Sequence, residues 1–201
     1  MKQPAGVILA GGLARRMGGG DKGLQMLGGQ TLLARVIARL EPQVSEMALN
    51  ANGDPARFEG FGLPVIADSV EGFAGPLAGV LAGLDWAHER GHTHIVTAAA
   101  DTPFFPCDLV PRLLLAAEQT PIALAATPDP KRGLARHPTF GLWPVELRDD
   151  LRVALNEGVR KIVQWTDRHG TGIARFEAEP FDPFFNVNTP EDMIRAEEIL
   201  K

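Results

Sequence analysis

A loop near the N-terminus combines glycines with cationic side chains in a pattern suited to a phosphate ligand. Residues 11–23 hold six glycines together with Arg15, Arg16 and Lys22. Glycines let backbone N–H groups approach phosphate oxygens closely, and cationic side chains add charge that is worth more where water is excluded. We interpret this loop as a site for a nucleoside triphosphate, with Arg15 and Lys22 as its charged groups.

Three further polar residues follow short apolar runs that are typical of buried strands. Asn50 ends the second run, Asp68 follows the third and Asp101 follows the fourth. Ligands of open parallel sheets bind outside the carboxyl ends of the strands, so these side chains are expected beside the glycine-rich loop. Asn50 and Asp68 can bind a base or a ribose, whereas Asp101 can hold Mg²⁺ together with substrate phosphates. Each of the three alone is also a common turn or cap residue, so their shared edge carries the argument.

Alternating strands and helices must position these residues. The sequence predicts strands at 6–10, 47–50, 64–67, 94–97 and 122–127, with residues 136–142 extended. Helices are predicted at 32–40, 77–89, 108–117, 145–156, 160–169 and 190–200. Thr31, Asp108 and Thr189 are the expected N-caps, and Asp192 completes a capping box with Thr189. This alternation is typical of an α/β fold with a mostly parallel sheet, and the absence of a repeat or linker in the sequence predicts a single domain over residues 1–201.

Composition narrows the class of protein. Hydrophobic residues make up 45% and charged residues 22% of the chain, which is ordinary for a globular protein. The net charge of -5 argues against a nucleic-acid partner, because such proteins usually carry a basic face. The single cysteine, Cys107, cannot form an internal disulfide, and no apolar run is long enough for a signal peptide or a membrane span. We therefore expect a cytoplasmic protein without a membrane partner.

Two motifs match known signatures without the structural context that those signatures need. Residues 18–23 satisfy G-x-G-x-x-G, yet a dinucleotide fingerprint begins directly after the first strand and opens a helix. His88 and His92 satisfy H-E-x-x-H, but Gly91 is expected to end the helix before the second histidine. Neither a dehydrogenase nor a zinc protease is favoured.

Longer motifs resemble those of a known family. Val7-Ile8-Leu9-Ala10-Gly11-Gly12, Arg16-Met17-Gly18-Gly19 and Asp21-Lys22 resemble the signature loop of sugar-nucleotide and cofactor nucleotidyltransferases. Within that group the chain is similar to the MobA family of molybdenum cofactor guanylyltransferases, through the following segments: Asn50-Ala51-Asn52, Gly75-Pro76-Leu77-Ala78-Gly79, Arg136-His137-Pro138-Thr139-Phe140, Gly158-Val159-Arg160-Lys161 and Asn186-Val187-Asn188-Thr189-Pro190-Glu191-Asp192. The resemblance implies a three-layer α/β/α, Rossmann-like nucleotidyltransferase fold.

The same resemblance implies an activity and a set of site residues. The activity is Mg²⁺-dependent transfer of GMP from GTP to the terminal phosphate of molybdenum-bound molybdopterin, with release of pyrophosphate. The implied GTP-binding residues are Leu9, Ala10, Gly11, Lys22, Asn50, Asp68 and Asp101. Asp101 is also the implied ligand of Mg²⁺, and Lys22, Arg15 and Asp101 are the catalytic candidates. The implied second-substrate residues are Arg136, Asn186 and Asn188, with Arg160 and Lys161 as further candidates.

One departure from the family pattern leaves alternatives open. The family usually has Pro-Cys-Asp where this chain has Ala99-Ala100-Asp101, which keeps the carboxylate but changes the turn that carries it. A cytidylyltransferase acting on the same pterin and a sugar-phosphate nucleotidyltransferase are the enzyme alternatives. A non-catalytic nucleotide-binding partner of molybdoenzymes is the alternative from another class. Transient contact with molybdoenzymes or their chaperones is expected in either case.

Overall fold

The computed structural model describes residues 3–11, 21–70 and 75–201. Its strands are β1 (Ala5–Leu9), β2 (Met26–Leu27), β3 (Gln30–Thr31), β4 (Met47–Asn50), β5 (Val65–Ile66), β6 (His94–Ala99), β7 (Ile122–Asp129), β8 (Gly133–Pro144) and β9 (Thr171–Arg175). Its α-helices are α1 (Leu32–Leu40), α2 (Pro76–Glu89), α3 (Leu109–Ala116), α4 (Arg148–Asn156), α5 (Ile162–Thr166) and α6 (Pro190–Ile199). Among these helices none has the length and apolar character required to cross a membrane.

Seven of the strands form one twisted sheet in the order β5-β4-β1-β6-β8-β7-β9, while β2 and β3 form a separate small hairpin. Every pairing within the seven-stranded sheet is parallel except those of β8, which runs antiparallel to both β6 and β7. The carboxyl ends of β5, β4, β1 and β6 therefore lie together at one edge. The predicted mostly parallel α/β fold is confirmed.

Both faces of the sheet are buried, which explains why its central strands are apolar at nearly every position. In β1, Ile8 packs with residues of α1 and α3 on one face, and Val7 packs with residues of α2 on the other. In β6, Val96 packs on the face covered by α1 and α3, and Ile95 packs on the face covered by α2. Helices thus cover both faces, which gives the three layers expected from the resemblance.

Local capping signals explain where several helices begin. The Thr31 hydroxyl accepts a hydrogen bond from the Ala34 N–H at the start of α1. Thr189 and Asp192 form the predicted capping box at the start of α6. Asp108 stands at the N-cap position of α3, but its carboxylate makes no capping hydrogen bond and pairs instead with Arg112 at 2.6 Å.

The final third of the chain departs most from the sequence prediction. The predicted helix at 145–156 begins with a 3₁₀ turn and becomes α-helical only at α4, and the one at 160–169 is reduced to the five residues of α5. The edge strand β9 was not predicted. It pairs in parallel with β7, so its identity as a strand depends on a distant partner that local patterning does not reveal.

Candidate active site

A cleft of about 440 Å³ opens at the carboxyl edge of β1, β4, β5 and β6. The residues lining it are Leu9, Ala10, Gly11, Lys22, Gly23, Asn50, Asn52, Asp68, Gly75, Pro76, Ala99, Ala100, Asp101, Thr139 and Asn186. All the GTP-binding candidates of the sequence analysis are among them. Arg15 lies outside the described residues.

One end of the cleft is built around the carboxylate of Asp68. Asn50 Nδ2 donates to Asp68 Oδ1 at 3.0 Å and to the Ile66 carbonyl at 3.2 Å. Asn52 Nδ2 donates to Asp68 Oδ2 at 2.8 Å, and the Asp68 N–H donates back to Asn52 Oδ1 at 2.9 Å. Both carboxylate oxygens are therefore oriented by amides, and each keeps further lone pairs for a ligand.

Asn50 itself is buried and fully engaged. It is 5% exposed, and its Nδ2 has two acceptors within the protein. Its Oδ1 lies against Gly79 of α2, where an added Cβ would overlap that oxygen. Asn50 therefore acts on the cleft by holding Asp68. Sequence analysis missed Asn52 as a site residue; its spacing of two from Asn50, just past the end of β4, was the available signal.

The other end of the cleft brings Lys22, Asp101 and the segment before α6 together. Lys22 Nζ lies 3.6 Å from Asp101 Oδ2 and donates to Asn188 Oδ1. The Val187 N–H donates to the Asp101 carbonyl at 2.9 Å, which ties this segment to the end of β6. Asn188 therefore contacts the cleft through Lys22.

The Thr102 hydroxyl links two oxygen atoms that face this end of the cleft. It lies 3.3 Å from Asp101 Oδ1 and 3.2 Å from Asn186 Oδ1. Thr102 is fully buried, so its position is fixed by packing. A carboxylate and a carboxamide oxygen held side by side are the hard donors that Mg²⁺ prefers.

Burial raises the pKa of the Asp101 carboxyl, and the charge of Lys22 together with the Thr102 hydrogen bond partly offsets that effect. Any cation that binds beside Asp101 would stabilise its ionised form and lower its pKa, since positive charge favours the carboxylate over the neutral acid. The described residues contain no group of three or more His, Cys, Asp or Glu side chains that could hold a metal. A cation at Asp101 would take its remaining ligands from Asn186 and from a phosphate-bearing substrate.

Helix α2 begins at the rim of the cleft. Gly75 precedes it with φ of 153° and ψ of 164°, a conformation that other residues rarely adopt, and Pro76 occupies the first turn. The positive end of the helix dipole favours an anion there. Glycine at position 75 is therefore required by the turn that aims α2 at the cleft.

The remaining second-substrate candidates lie away from the cleft lining. Arg136, on β8, pairs with Asp167 at 2.8 Å. Arg160 donates to the carbonyls of Leu155 and Val159, and Lys161 stands at the start of α5. The structure brings Asn186 and Asn188 to the cleft but keeps these three basic residues apart from its walls.

His137, next to Arg136, sits in an aromatic cluster. Its ring stacks on Phe184 with centroids 4.4 Å apart, and Nε2 lies 2.8 Å from the Thr127 hydroxyl. Burial lowers the pKa of His137, against the opposing effect of the Asp182 carboxylate. Phe184 lies two residues before Asn186, so the stacking of His137 on Phe184 stabilises the segment that carries Asn186 into the cleft.

The H-E-x-x-H match makes no metal site. Gly91 has φ of 73° and follows the end of α2, so His92 leaves the helix that carries His88. His92 pairs instead with Glu46. Both histidines lie at the amino end of β6, on the opposite side of the sheet from the cleft.

Comparison with known proteins is consistent with this architecture. The profile of the MobA-like NTP transferase domain matches residues 6–171. The molybdenum cofactor guanylyltransferase of Bradyrhizobium sp. (strain ORS 278) is 54% identical over 199 residues, which cover 96% of this chain and 92% of that protein.

Solved structures show the same fold. The molybdopterin-guanine dinucleotide biosynthesis protein A from Archaeoglobus fulgidus superposes with a TM-score of 0.72 at 27% identity, covering 98% of each chain. The 2-C-methyl-D-erythritol 4-phosphate cytidylyltransferase from Thermus thermophilus superposes with a TM-score of 0.74 at 20% identity, covering 96% of this chain and 97% of that one. The second likeness concerns the fold alone.

Proposed function

Because this chain belongs to the MobA-like NTP transferase family, we propose that it transfers GMP from GTP to the terminal phosphate of molybdenum-bound molybdopterin. An oxygen of the pterin phosphate attacks the α-phosphorus of GTP, the bond from that phosphorus to the bridging oxygen breaks, and pyrophosphate leaves. The family membership confirms the resemblance identified from the motifs. The cytoplasmic location stays a prediction of the sequence.

The observation that carries the proposal is the division of one cleft into two chemically different ends. Asp68 at one end is a carboxylate aimed by two amides, and Lys22 with Asp101 at the other end forms a charged pair. A base at the first end and a triphosphate at the second fit a nucleotide lying along the cleft. Gly11 and the N-terminus of α2 also line the cleft, and a helix N-terminus favours a phosphate.

The Asp68 end favours guanine over cytosine. Guanine presents two adjacent donors, N1–H and the N2 amino group, which a carboxylate can accept together, much as it accepts both N–H groups of an arginine fork. Cytosine presents a single amino donor beside acceptor atoms that a carboxylate repels. Asp68 is thus our choice for the residue that selects GTP, with Asn50 and Asn52 holding it in place.

The opposite end carries the reaction. Lys22 is close enough to Asp101 to offset its charge and to bind the phosphates, and Arg15 is retained as a second cation because it adds positive charge to the glycine-rich loop. Mg²⁺ held at Asp101 and Asn186 would neutralise charge on the triphosphate as pyrophosphate departs. Asn186 and Asn188 lie on either side of Val187, whose N–H donates to the Asp101 carbonyl. We propose that these two asparagines orient the incoming pterin phosphate.

The test measures pyrophosphate release from each of GTP, CTP, ATP and UTP in the presence of Mg²⁺, molybdopterin and molybdate. We expect release with GTP alone, and a loss of about 100- to 1000-fold in kcat for Asp101→Asn, because the preorganised charge at the phosphates is removed. Asp108→Asn, which removes an exposed carboxylate paired with Arg112, is the matched control and should leave kcat unchanged.

The outcomes separate the alternatives. Preference for CTP would show that the base assignment at Asp68 is wrong while the phosphate end stands. Release with a sugar phosphate in place of molybdopterin would move the second substrate to another class. Binding of GTP without release under any condition would favour the non-catalytic nucleotide-binding partner.

A further inference from the structure

Arg57 lies in the 3₁₀ turn Pro55–Phe61 that follows β4 and is held firmly on that turn. Its Nη1 donates to the Asp54 carbonyl at 2.7 Å and its Nη2 donates to the Asn52 carbonyl at 2.5 Å. The guanidinium carbon lies 4.7 Å from the centre of the Phe58 ring. Contacts in three directions fix the plane of this guanidinium.

The same guanidinium also contacts the segment that carries Lys22. Arg57 Nε lies 2.6 Å from Asp21 Oδ2 as an ion pair, without the alignment of a hydrogen bond. The two side chains are 28% and 10% exposed, so solvent screens the pair only in part. Asp21 directly precedes Lys22, and thirty-six positions of sequence separate the two partners.

Arg57 therefore contacts the immediate neighbours of both functional ends while it is not among the described residues that line the cleft. On one side it holds the carbonyl of Asn52, whose amide orients Asp68. On the other side it holds the carboxylate next to Lys22. One planar group with a fixed fork is suited to set the spacing between two such segments, which a flexible ammonium is not.

We infer that Arg57 is a positioning residue that sets the distance between the base-binding carboxylate of Asp68 and the phosphate-binding ammonium of Lys22. This inference rests on the proposed function, because it assigns the two ends of the cleft to the two ends of one nucleotide. Loss of Arg57 changes the relative placement of the groups that bind GTP and leaves the groups themselves intact. Such a loss affects both nucleotide affinity and turnover.

The alternative is that this ion pair only stabilises the fold, and the chain offers a matched control for it. Arg152 on α4 pairs with Asp85 on α2, also at 2.6 Å, with side chains 36% and 24% exposed. That pair joins two helices and neither residue lines the cleft. A kinetic effect due to stability alone would follow the change in melting temperature in both pairs and would disappear where the protein is fully folded.

The experiment compares Arg57→Met, Arg57→Lys, Asp21→Asn, the double variant Arg57→Met/Asp21→Asn, and Arg152→Met. For each protein we would measure the melting temperature, the Kd of GTP, and kcat and KM at a temperature where the protein is fully folded. We expect Arg57→Met to lower kcat/KM by about 10- to 100-fold, the cost typical of a misplacement near 1 Å in an active site. Arg57→Lys should recover part of that loss, because its ammonium can still pair with Asp21 but cannot also hold the Asn52 and Asp54 carbonyls.

Coupling provides the sharper criterion. If Arg57 acts through Asp21, the double variant loses no more activity than Arg57→Met alone, because the second change removes an interaction already absent. Arg152→Met should change the melting temperature and leave Kd, kcat and KM as in the wild type. Equal kinetic constants for wild type and Arg57→Met, or losses that simply add in the double variant, would overturn the inference.

Failure of the proposed function is distinguishable from failure of this inference. If the wild type binds GTP but transfers no GMP, the transfer reaction is refuted and Arg57 is judged on the Kd of GTP alone. A weaker Kd in Arg57→Met but not in Arg152→Met then supports the positioning role, and equal Kd values overturn it. A wild type that binds none of the four nucleotides overturns both.

Discussion

Substitution of Gly79 by alanine tests how Asp68 is held, while the Asp68 side chain itself stays unchanged. Gly79 lies inside α2, and an added Cβ would overlap Asn50 Oδ1 and come within 2.9 Å of Leu9 Cδ2. Asn50 is buried and must move, which breaks its 3.0 Å hydrogen bond to Asp68. Asp68 then loses one of the two amides that orient its carboxylate.

The expected magnitude follows from three contributions to the free energy of unfolding. Alanine stabilises a helix interior by about 1 kcal/mol relative to glycine. Overpacking typically costs about 1–3 kcal/mol, and each of the two Asn50 hydrogen bonds contributes about 1 kcal/mol. Gly79→Ala should therefore remain folded but lose about 2–4 kcal/mol of stability. Loss of one well-placed hydrogen bond from a carboxylate to the base should weaken GTP binding by about 10- to 100-fold.

Gly83→Ala is the matched control for this prediction. It introduces the same methyl group one turn later in α2, within 2.8 Å of Val7 and 2.9 Å of Ile95, which are core side chains with no contact to Asp68. Urea denaturation and isothermal titration with GTP would be applied to both variants. Both variants should be destabilised, and only Gly79→Ala should bind GTP more weakly. Wild-type affinity in a folded Gly79→Ala protein would refute the role assigned to Asn50.

Two further predictions concern ionisation. Thr102→Val removes the hydroxyl whose hydrogen bond lowers the pKa of Asp101, so the pKa of Asp101 should rise further. The acid limb of the pH profile of kcat should then move to higher pH, and an unchanged acid limb would contradict a role for this hydrogen bond. Burial lowers the pKa of His137, so the unfolded chain binds the proton more readily, and the stability present at neutral pH declines as pH falls through about 6.5. His137→Phe, which keeps a ring against Phe184, should show a smaller fall in the free energy of unfolding between pH 7.5 and 5.5, and an equal fall in both proteins would show that another group is responsible.

The carboxyl edge of the sheet could be predicted because it depends on rules that act over short stretches. Asn50 ends β4, and Asp68 and Asp101 come just after β5 and β6; short apolar runs reveal these strands, and parallel strands bring such positions together. The capping box of Thr189 and Asp192 is likewise local. Those elements therefore agree with the structure to within one or two residues.

The contacts that give each site residue its role could not be predicted in the same way. The engagement of Asn50 depends on the approach of Gly79 from another element, and Lys22 meets Asn188 across 166 positions of sequence. The reversal of β8 was also not predicted, because an extended segment carries no local mark of its direction. Arg136 stays a predicted second-substrate residue; its pairing with Asp167, and its place outside the described lining of the cleft, also depend on tertiary contacts.

Because β8 runs antiparallel to β7, the two strands form a hairpin whose length can change. β7 and β8 are joined by the short turn 130–132, so this hairpin needs no crossover helix. The last pair between β6 and β8 is Thr97 with Gly141. Past that pair, residues 125–129 of β7 and 133–137 of β8 continue to pair with each other. Residues gained or lost at this turn leave the register of β1, β4 and β6 unchanged. Sequence variation at this turn can therefore lengthen or shorten the β7–β8 hairpin while the strands that carry Asn50, Asp68 and Asp101 keep their places in the sheet.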